Sequence, residues 1–569
     1  MKRSPALALL LSPCLLGVGL LFGVPFCIAL WRSLAAGPGS YLQALTNPMF
    51  RLGTRNLLRF LLLAIPGTMA LALWLALLLR RLGRGFWPLL AAMLLPALLP
   101  SGSTAFFWNC ILGVNGVINR LLYQWGQEIV LWDSGRWSIL LPAVLYLWKF
   151  CGLLTLVFWV GLGSIPREYH ELARLEGAGP WTLLWRITLT YLTPSLMLAL
   201  LLGLMSAFRI SRELLMLFGR YPDDGLYLLQ HFLAGQLEQM NLPVLGAAAV
   251  LVAGALLAAA VPLWRAGQRT YDSFTQRGEW NLPAPGQGRG QKRALVIATV
   301  AAVLFLLPVL FTAANSLLPA GEAAARYSPV VMPENAGGLA RGGLHFVEPV
   351  LLPGRLSLTQ YRDFLSSPAY LRMFWNSVAL TVPAVLLHLL VSAAGAYGFF
   401  RLRGRRMELV FGACLLLMAI PAQVMVTPQY LFFRELGLEK SWWAVVLPAV
   451  FHPAGVCLLR LQLAGFPPEC IDAARENGAG ELQVFTRIVL PGLREGLMLL
   501  AVYTFAECWN GVEQAVVFLH GYRLPLSVPL ARLLREDIGI LSAASVVYLA
   551  PVLLIFLGCL LELRQSAGE

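Results

Sequence analysis

Residues 165–192, IPREYHELARLEGAGPWTLLWRITLTYL, align without a gap against residues 466–493, FPPECIDAARENGAGELQVFTRIVLPGL, at a constant offset of 301. Pro166/Pro467, Glu168/Glu469, Ala173/Ala474, Arg174/Arg475, Gly177/Gly478, Ala178/Ala479, Gly179/Gly480, Arg186/Arg487, Ile187/Ile488 and Leu189/Leu490 coincide. Each segment is too polar to cross a bilayer. Its pattern predicts a short helix (Glu168–Glu176 and Glu469–Asn477) broken by Gly-Ala-Gly and followed by a second amphipathic turn. Glu168, Glu171 and Arg174 in one copy, and Glu469, Asp472 and Arg475 in the other, fall on adjoining turns. The small Ala173, Ala473 and Ala474 permit close approach of a partner. Such a helix suits docking into a soluble protein; the alternative is a helix lying on lipid headgroups.

The chain around these segments is apolar. Of 569 residues, 58% are hydrophobic and 13% charged, against about 25% charged in an ordinary soluble protein. Mean hydropathy is +0.70, which excludes a soluble enzyme. Runs long enough to cross a bilayer, about 20 residues each, fall at 6–31, 57–79, 86–112, 137–163, 191–218 and 243–264, then at 294–317, 374–400, 408–432, 442–464, 493–512 and 541–563. The fold class is therefore an all-α polytopic membrane protein of about twelve transmembrane helices. They form two groups of six, and six spans separate the repeated segments, so both segments return to one face: the repeat is parallel, not inverted. A further echo pairs Tyr41, Pro48 and Asn56 with Tyr361, Pro368 and Asn376 at an offset of 320. The division expected is 1–265 and 294–569 as two halves, joined by a basic Pro/Gly-rich linker at 266–293. The first apolar run resembles a signal peptide but exceeds the usual length of one, and is expected to be retained.

The net charge of +14 sits mostly in short connections between spans, not on a solvated face interleaved with aromatics, so nucleic acid is not an expected partner. Starting inside puts Lys2/Arg3, Arg80/Arg81/Arg84, the linker and Arg401/Arg403/Arg405/Arg406 on the cytoplasmic side. Both termini and both repeated segments are then expected to be cytoplasmic, in a multi-pass membrane protein. The nine cysteines lie mostly within apolar runs without CxxC spacing, and the six histidines are scattered; no metal site, catalytic constellation or cofactor site is expected. None of the four lysines stands in a phosphate-cradling G-x-x-x-x-G-K-[ST] loop.

At the repeated segments the chain resembles the membrane subunits of binding-protein-dependent ABC importers, whose cytoplasmic EAA loop reads E-A-A, three residues, Gly, about nine residues, I-x-L-P. The second copy offers Asp472-Ala473-Ala474, Gly478 and Ile488-Val489-Leu490-Pro491; the first offers Glu171-Leu172-Ala173, Gly177 and Ile187-Thr188-Leu189, with Thr190 in place of Pro. Residues 420–438 (IPAQVMVTPQYLFFRELGL) and 505–510 (FAECWN) look like one permease of a maltose-type or glycerol-phosphate-type pair, and 118–122 (INRLL) like the other. LFGRYPDD (217–224) replaces the T-G-G-G-P ending common in the latter. The resemblance implies two fused permeases of the type I importer fold, moving a carbohydrate by alternating access, with two separate ATPase subunits beneath the EAA loops and an external solute-binding protein above. ATPase coupling would then rest on Glu168, Glu171, Ala173, Gly177, Glu469, Asp472, Ala473, Ala474 and Gly478. An ion-coupled transporter, or an importer for glycerol phosphate or a peptide, is the rival reading.

Polar groups within spans are candidate pathway residues because their burial is costly. Tyr503, Glu507 and Asn510 share a helix face, with Phe505 and Trp509 alongside. They could bind a sugar by hydrogen bonding and stacking, or Glu507 could pair with an Arg on another span. Arg209 and Glu213, four residues apart, are expected to pair locally; Trp108 and Asn109 close the third span. Pro96 and Pro100 in that span, and Pro421 and Pro428 in its counterpart, predict kinks or breaks.

Overall fold

The computed structural model describes residues 5–566 apart from 133, 164, 166, 220, 240, 275–288, 332–345, 403, 419, 421 and 465. Its described residues form helices and connections, with no strand among them. The first half contains α1 (Pro5–Ala35), α2 (Pro48–Leu79), α3 (Trp87–Leu98), α4 (Ser101–Leu112), α5 (Leu140–Gly163), α6 (Arg167–Leu175), α7 (Thr193–Arg209), α8 (Ser211–Phe218) and α9 (Leu242–Phe274). The second contains α10 (Arg289–Ser316), α11 (Pro368–Arg401), α12 (Arg405–Met418), α13 (Ala422–Glu435), α14 (Trp443–Val450), α15 (Ala454–Ala464), α16 (Pro468–Glu476), α17 (Arg494–Trp509), α18 (Glu513–Phe518) and α19 (Ile538–Ser566).

Ten helices among the described residues are long and apolar enough to cross a membrane, and an eleventh span appears when α17 is joined to the helix before it across a 77° bend. The twelfth expected run, 408–432, is divided between α12 and α13, each of 14 residues. Its counterpart, 86–112, breaks at Leu99, whose extended ψ of 135° is followed by Pro100. Proline cannot donate to the preceding turn and drives the residue before it out of helical conformation, so a break is the expected outcome. Pro421 lies outside the described residues. So does half of the linker, residues 275–288; α9 and α10 extend into the rest, as far as Phe274 and from Arg289.

The echo at offset 320 proves to be a set of hydrogen bonds that ties together one end of the spans in each half. Tyr41 Oη meets Ser33 Oγ at 2.7 Å, and Tyr361 Oη meets Ser316 Oγ at 2.7 Å. The Asn56 amide donates to the carbonyls of Asp224 (2.6 Å) and Tyr227 (3.0 Å); that of Asn376 donates to those of Tyr522 (2.8 Å) and Leu524 (3.1 Å). Each Asn thus ties the second span of its half to the segment before the last span, satisfying carbonyls that no helix supplies with donors. Asn56→Ala or Asn376→Ala is expected to cost about 1–2 kcal/mol each, seen as a lower melting temperature of the detergent-solubilised protein.

The two halves also exchange their first helices. α1 packs along α11 of the second half, and α10 packs against α3 of the first. Ser392-Ala-Ala-Gly-Ala-Tyr-Gly398 gives α11 the small side chains that let α1 approach: a Cβ on Gly395 would lie 3.0 Å from Cys14, and one on Gly398 2.8 Å from Leu11. In lipid, where apolar surface alone does not drive helices together, such close packing holds them. Trp148 Nε1 on α5 donates to the Phe305 carbonyl on α10 at 3.2 Å.

Candidate functional site

The repeated segments fold alike, residue for residue. α6 and α16 have equivalent bounds at an offset of 301, and each is followed by a glycine in the left-handed region, Gly177 at φ +81° and Gly478 at φ +83°. In the first copy the Gly177 N–H donates to the Arg174 carbonyl (3.0 Å) and Ala178 N–H to that of Ala173 (2.9 Å); in the second, Gly478 donates to Arg475 (2.9 Å) and Ala479 to Ala474 (3.0 Å). This pair of bonds terminates a helix by turning the chain left-handed, and glycine takes that conformation without a Cβ penalty. A wider π-type turn follows in both, Leu183–Thr188 and Phe485–Val489.

Glu168, Glu171 and Gly177 in the first element are exposed, as are Glu469, Asp472, Ala473 and Gly478 in the second, while Ala173 and Ala474 are half-buried. The first element also exposes Leu172, Leu175, Trp181 and Trp185, large apolar side chains on a segment that leads into α7. The second is clamped to its own half: Ile471 is fully buried, and Glu481 forms an ion pair with Arg475 and accepts from Tyr397 Oη of α11 at 2.7 Å. These contacts join α16 to α11, a membrane span.

A cavity of about 150 Å³ opens between the halves. Tyr503 and Glu507 from α17 line it together with Arg209 from α7, which brings three of the sequence-selected residues to one place. Glu507 and Arg209 form an ion pair across the halves. Next to it Arg212 of α8 pairs with Glu513 of α18, and its guanidinium also donates to the Asn510 carbonyl at 2.8 Å. Both pairs remain partly open, with side-chain exposures of 17% and 27% for the first and 14% and 21% for the second.

The expected local Arg209–Glu213 pair is not formed. Arg209 pairs across the halves with Glu507. Glu213 instead takes Lys149 of α5 and a hydrogen bond from Ser101 Oγ (2.8 Å), deep inside the first half. Trp509 does not reach the cavity: it is buried, stacked on Phe505 with ring centroids 5.1 Å apart, and donates to the Tyr548 carbonyl (3.0 Å). Asn510 turns to the broken third span, donating to the Leu98 carbonyl at 3.4 Å. Trp108 packs edge-on against Phe107 and Trp148, and neither it nor Asn109 lines the cavity. Among the cavity residues that sequence reasoning missed are Arg212, Glu513, His388 and His452. His388 lies on α11 and shares its Nδ1 with the Val450 carbonyl at 2.8 Å, and His452 meets Phe22 edge-on at 5.9 Å. A signal for the charged pair was present, since Arg212 and Glu513 stand at equivalent repeat positions with opposite sign.

Two exchanged helical halves, paired exposed elbows that lead into spans, and between the halves a cavity carrying two ion pairs define a membrane-embedded transport subunit. A family model described as "Binding-protein-dependent transport system inner membrane component" matches residues 49–264. The arabinooligosaccharides transport system permease protein AraQ of Halalkalibacterium halodurans is 30% identical over 212 residues, covering 36% of this chain and 75% of that one. The osmoprotective compounds uptake permease protein GgtD of Synechocystis is 29% identical over 210 residues, 35% of this chain and 70% of its own. The lactose transport system permease protein LacG of Rhizobium radiobacter is 28% identical over 188 residues, 32% and 69% respectively. A solved bacterial ABC transporter involved in the import of the acidic polysaccharide alginate includes a chain that matches 48% of this one and 97% of its own length at 20% identity, with a TM-score of 0.37. The chain belongs to the family of binding-protein-dependent transport system inner membrane components, and so is an ABC importer permease, a transport subunit and not an enzyme.

Proposed function

We propose that the chain supplies both permease halves of a carbohydrate importer, fused through 266–293, and that separate ATPase subunits drive it from the cytoplasmic side by docking on α6 and α16. One observation carries this reading: two equivalent helices end in the same glycine-capped turn, present acidic and apolar side chains outward, and continue into spans that meet at the cavity. A load applied to both elbows would shift α7 and α17 against each other, which is the motion alternating access requires. The carbohydrate reading draws on the relatives' names, which specify arabinooligosaccharides, lactose and alpha-glucosides. The cavity's hydroxyl, amide and carboxylate groups beside aromatic rings suit a polyhydroxylated solute. Sugar would arrive on an external binding protein, and the elbows and both termini would face the cytoplasm.

The test is reconstitution of the full chain in lipid vesicles with its ATPase subunits and binding protein, and uptake of labelled neutral di- and oligosaccharides. Uptake is expected only with ATP and both companions present. Uptake driven by an ion gradient in the absence of nucleotide would overturn the reading.

A further inference from the structure

Arg212 and Glu513 are 301 residues apart, the same spacing that superposes the two elbows, and the helices between keep it: α7 and α17 have equivalent bounds within one residue. They are therefore equivalent residues of the two halves. Two equivalent residues in contact must straddle the axis that relates the halves, and that axis is where a pathway shared by both halves runs. Arg209–Glu507 crosses the same interface about one helical turn closer to the elbows. From Thr193 to Arg209, α7 rises about 24 Å, so the four charges stand toward the membrane face opposite the elbows.

An interface that had only to hold would manage as well with apolar side chains, because taking an ion pair out of water offsets most of its attraction. Elsewhere the halves do meet in that way, as where Phe106 packs against Phe311 and Tyr327. Charged partners lining a cavity can separate and rejoin, since water or solute hydroxyls replace each partner when the halves move apart. Opposite charges at equivalent positions also require unlike halves: two copies of the first would set guanidinium against guanidinium.

We propose that Arg209–Glu507 and Arg212–Glu513 form the closed outer gate of the solute pathway, parted when the cavity opens away from the elbows and joined when it opens toward them. The sidedness rests on the proposed function above; the closure itself rests on the pairs.

Cys508 adjoins Glu507 and lines the cavity, while Cys27 and Cys470 are the exposed cysteines among the described residues. The experiment uses the full-length chain with Cys27, Cys470 and Cys559 replaced by Ala, in right-side-out vesicles without nucleotide. A membrane-impermeant maleimide is added from outside. Slow labelling of Cys508 is expected in this background, severalfold faster labelling in Glu507→Gln and in Glu513→Gln, and a return to slow labelling in the charge-swapped Arg212→Glu/Glu513→Arg chain. Equal labelling in background and Gln variants, or a swapped chain that stays fast, would overturn the gate. Glu507→Gln, in the more exposed pair, serves if Glu513→Gln fails to accumulate. Since no ATPase takes part, failure of nucleotide-driven uptake would leave this result standing; a separate chain with Cys27 and Cys559 replaced but Cys470 kept, labelled from one side only, reports which face carries the elbows.

Discussion

Gly478→Val is expected to leave the protein folded in the membrane while reducing nucleotide-driven uptake by an order of magnitude or more. A Cβ at this position would meet nothing within 4 Å, so the substitution creates no clash. Its cost is conformational: at φ +83° a β-branched residue crowds its own backbone by roughly 2 kcal/mol, which reduces the population of the capped turn about 30-fold. The two bonds that end α16 would open, the helix would fray, and the side chains around Asp472 would lose the fixed direction that the proposed docking on an ATPase requires. Gly478→Asn provides the control, because asparagine enters the left-handed region more readily than other residues with a Cβ. Uptake with the Asn variant is expected to approach that of the unmodified chain, and Gly177→Val is expected to resemble Gly478→Val. The measurement is ATP-dependent uptake in reconstituted vesicles, with retention of the ATPase subunits on purification as a second readout. If the Val variant transports as well as the unmodified chain, the elbow is not the coupling element.

These turns were legible because their determinants are local. Gly-Ala-Gly after an amphipathic turn specifies both the end of the helix and the left-handed residue, and the structure places α6 and α16 within one residue of the predicted bounds. The echo of Tyr, Pro and Asn was legible as a repeat, but its bonds were not, since the carbonyls that Asn56 and Asn376 satisfy lie about 150 residues and more away. The division of two expected spans into shorter helices follows from proline chemistry visible in the sequence. The pairing of charges does not. Arg209 and Glu213 have the spacing of a helical pair, but partners on other helices, Glu507 and Lys149, take one each. Trp509 shares the aromatic character of a sugar-binding platform, yet its ring is used to pack α17 against α19. Which face of a membrane helix meets the pathway depends on its neighbours, and apolar periodicity says little where lipid and protein interior are equally apolar.

The charges inside the spans divide into two kinds, and a stability measurement separates them. Lys149 and Glu213 have side-chain exposures of 8% and 2%, belong to the same half, and hold Ser101 at the break between α3 and α4. Nothing in alternating access requires them to part. Glu213→Ala would leave an ammonium group buried without a partner, at a cost of about 3–5 kcal/mol, and is expected to give the largest fall in melting temperature of any variant considered, with little folded protein recovered. Lys149→Met/Glu213→Leu, which removes both charges and keeps most of the volume, is expected to recover to within about 1 kcal/mol of the unmodified chain, since a buried pair contributes little net stability beyond satisfying itself. Glu507→Ala is expected to lower the melting temperature far less, because Arg209 retains access to the cavity and its water. An equal fall for Glu213→Ala and Glu507→Ala would mean that both are fixed struts; a large difference identifies the cross-half pairs as contacts the protein can break during its cycle.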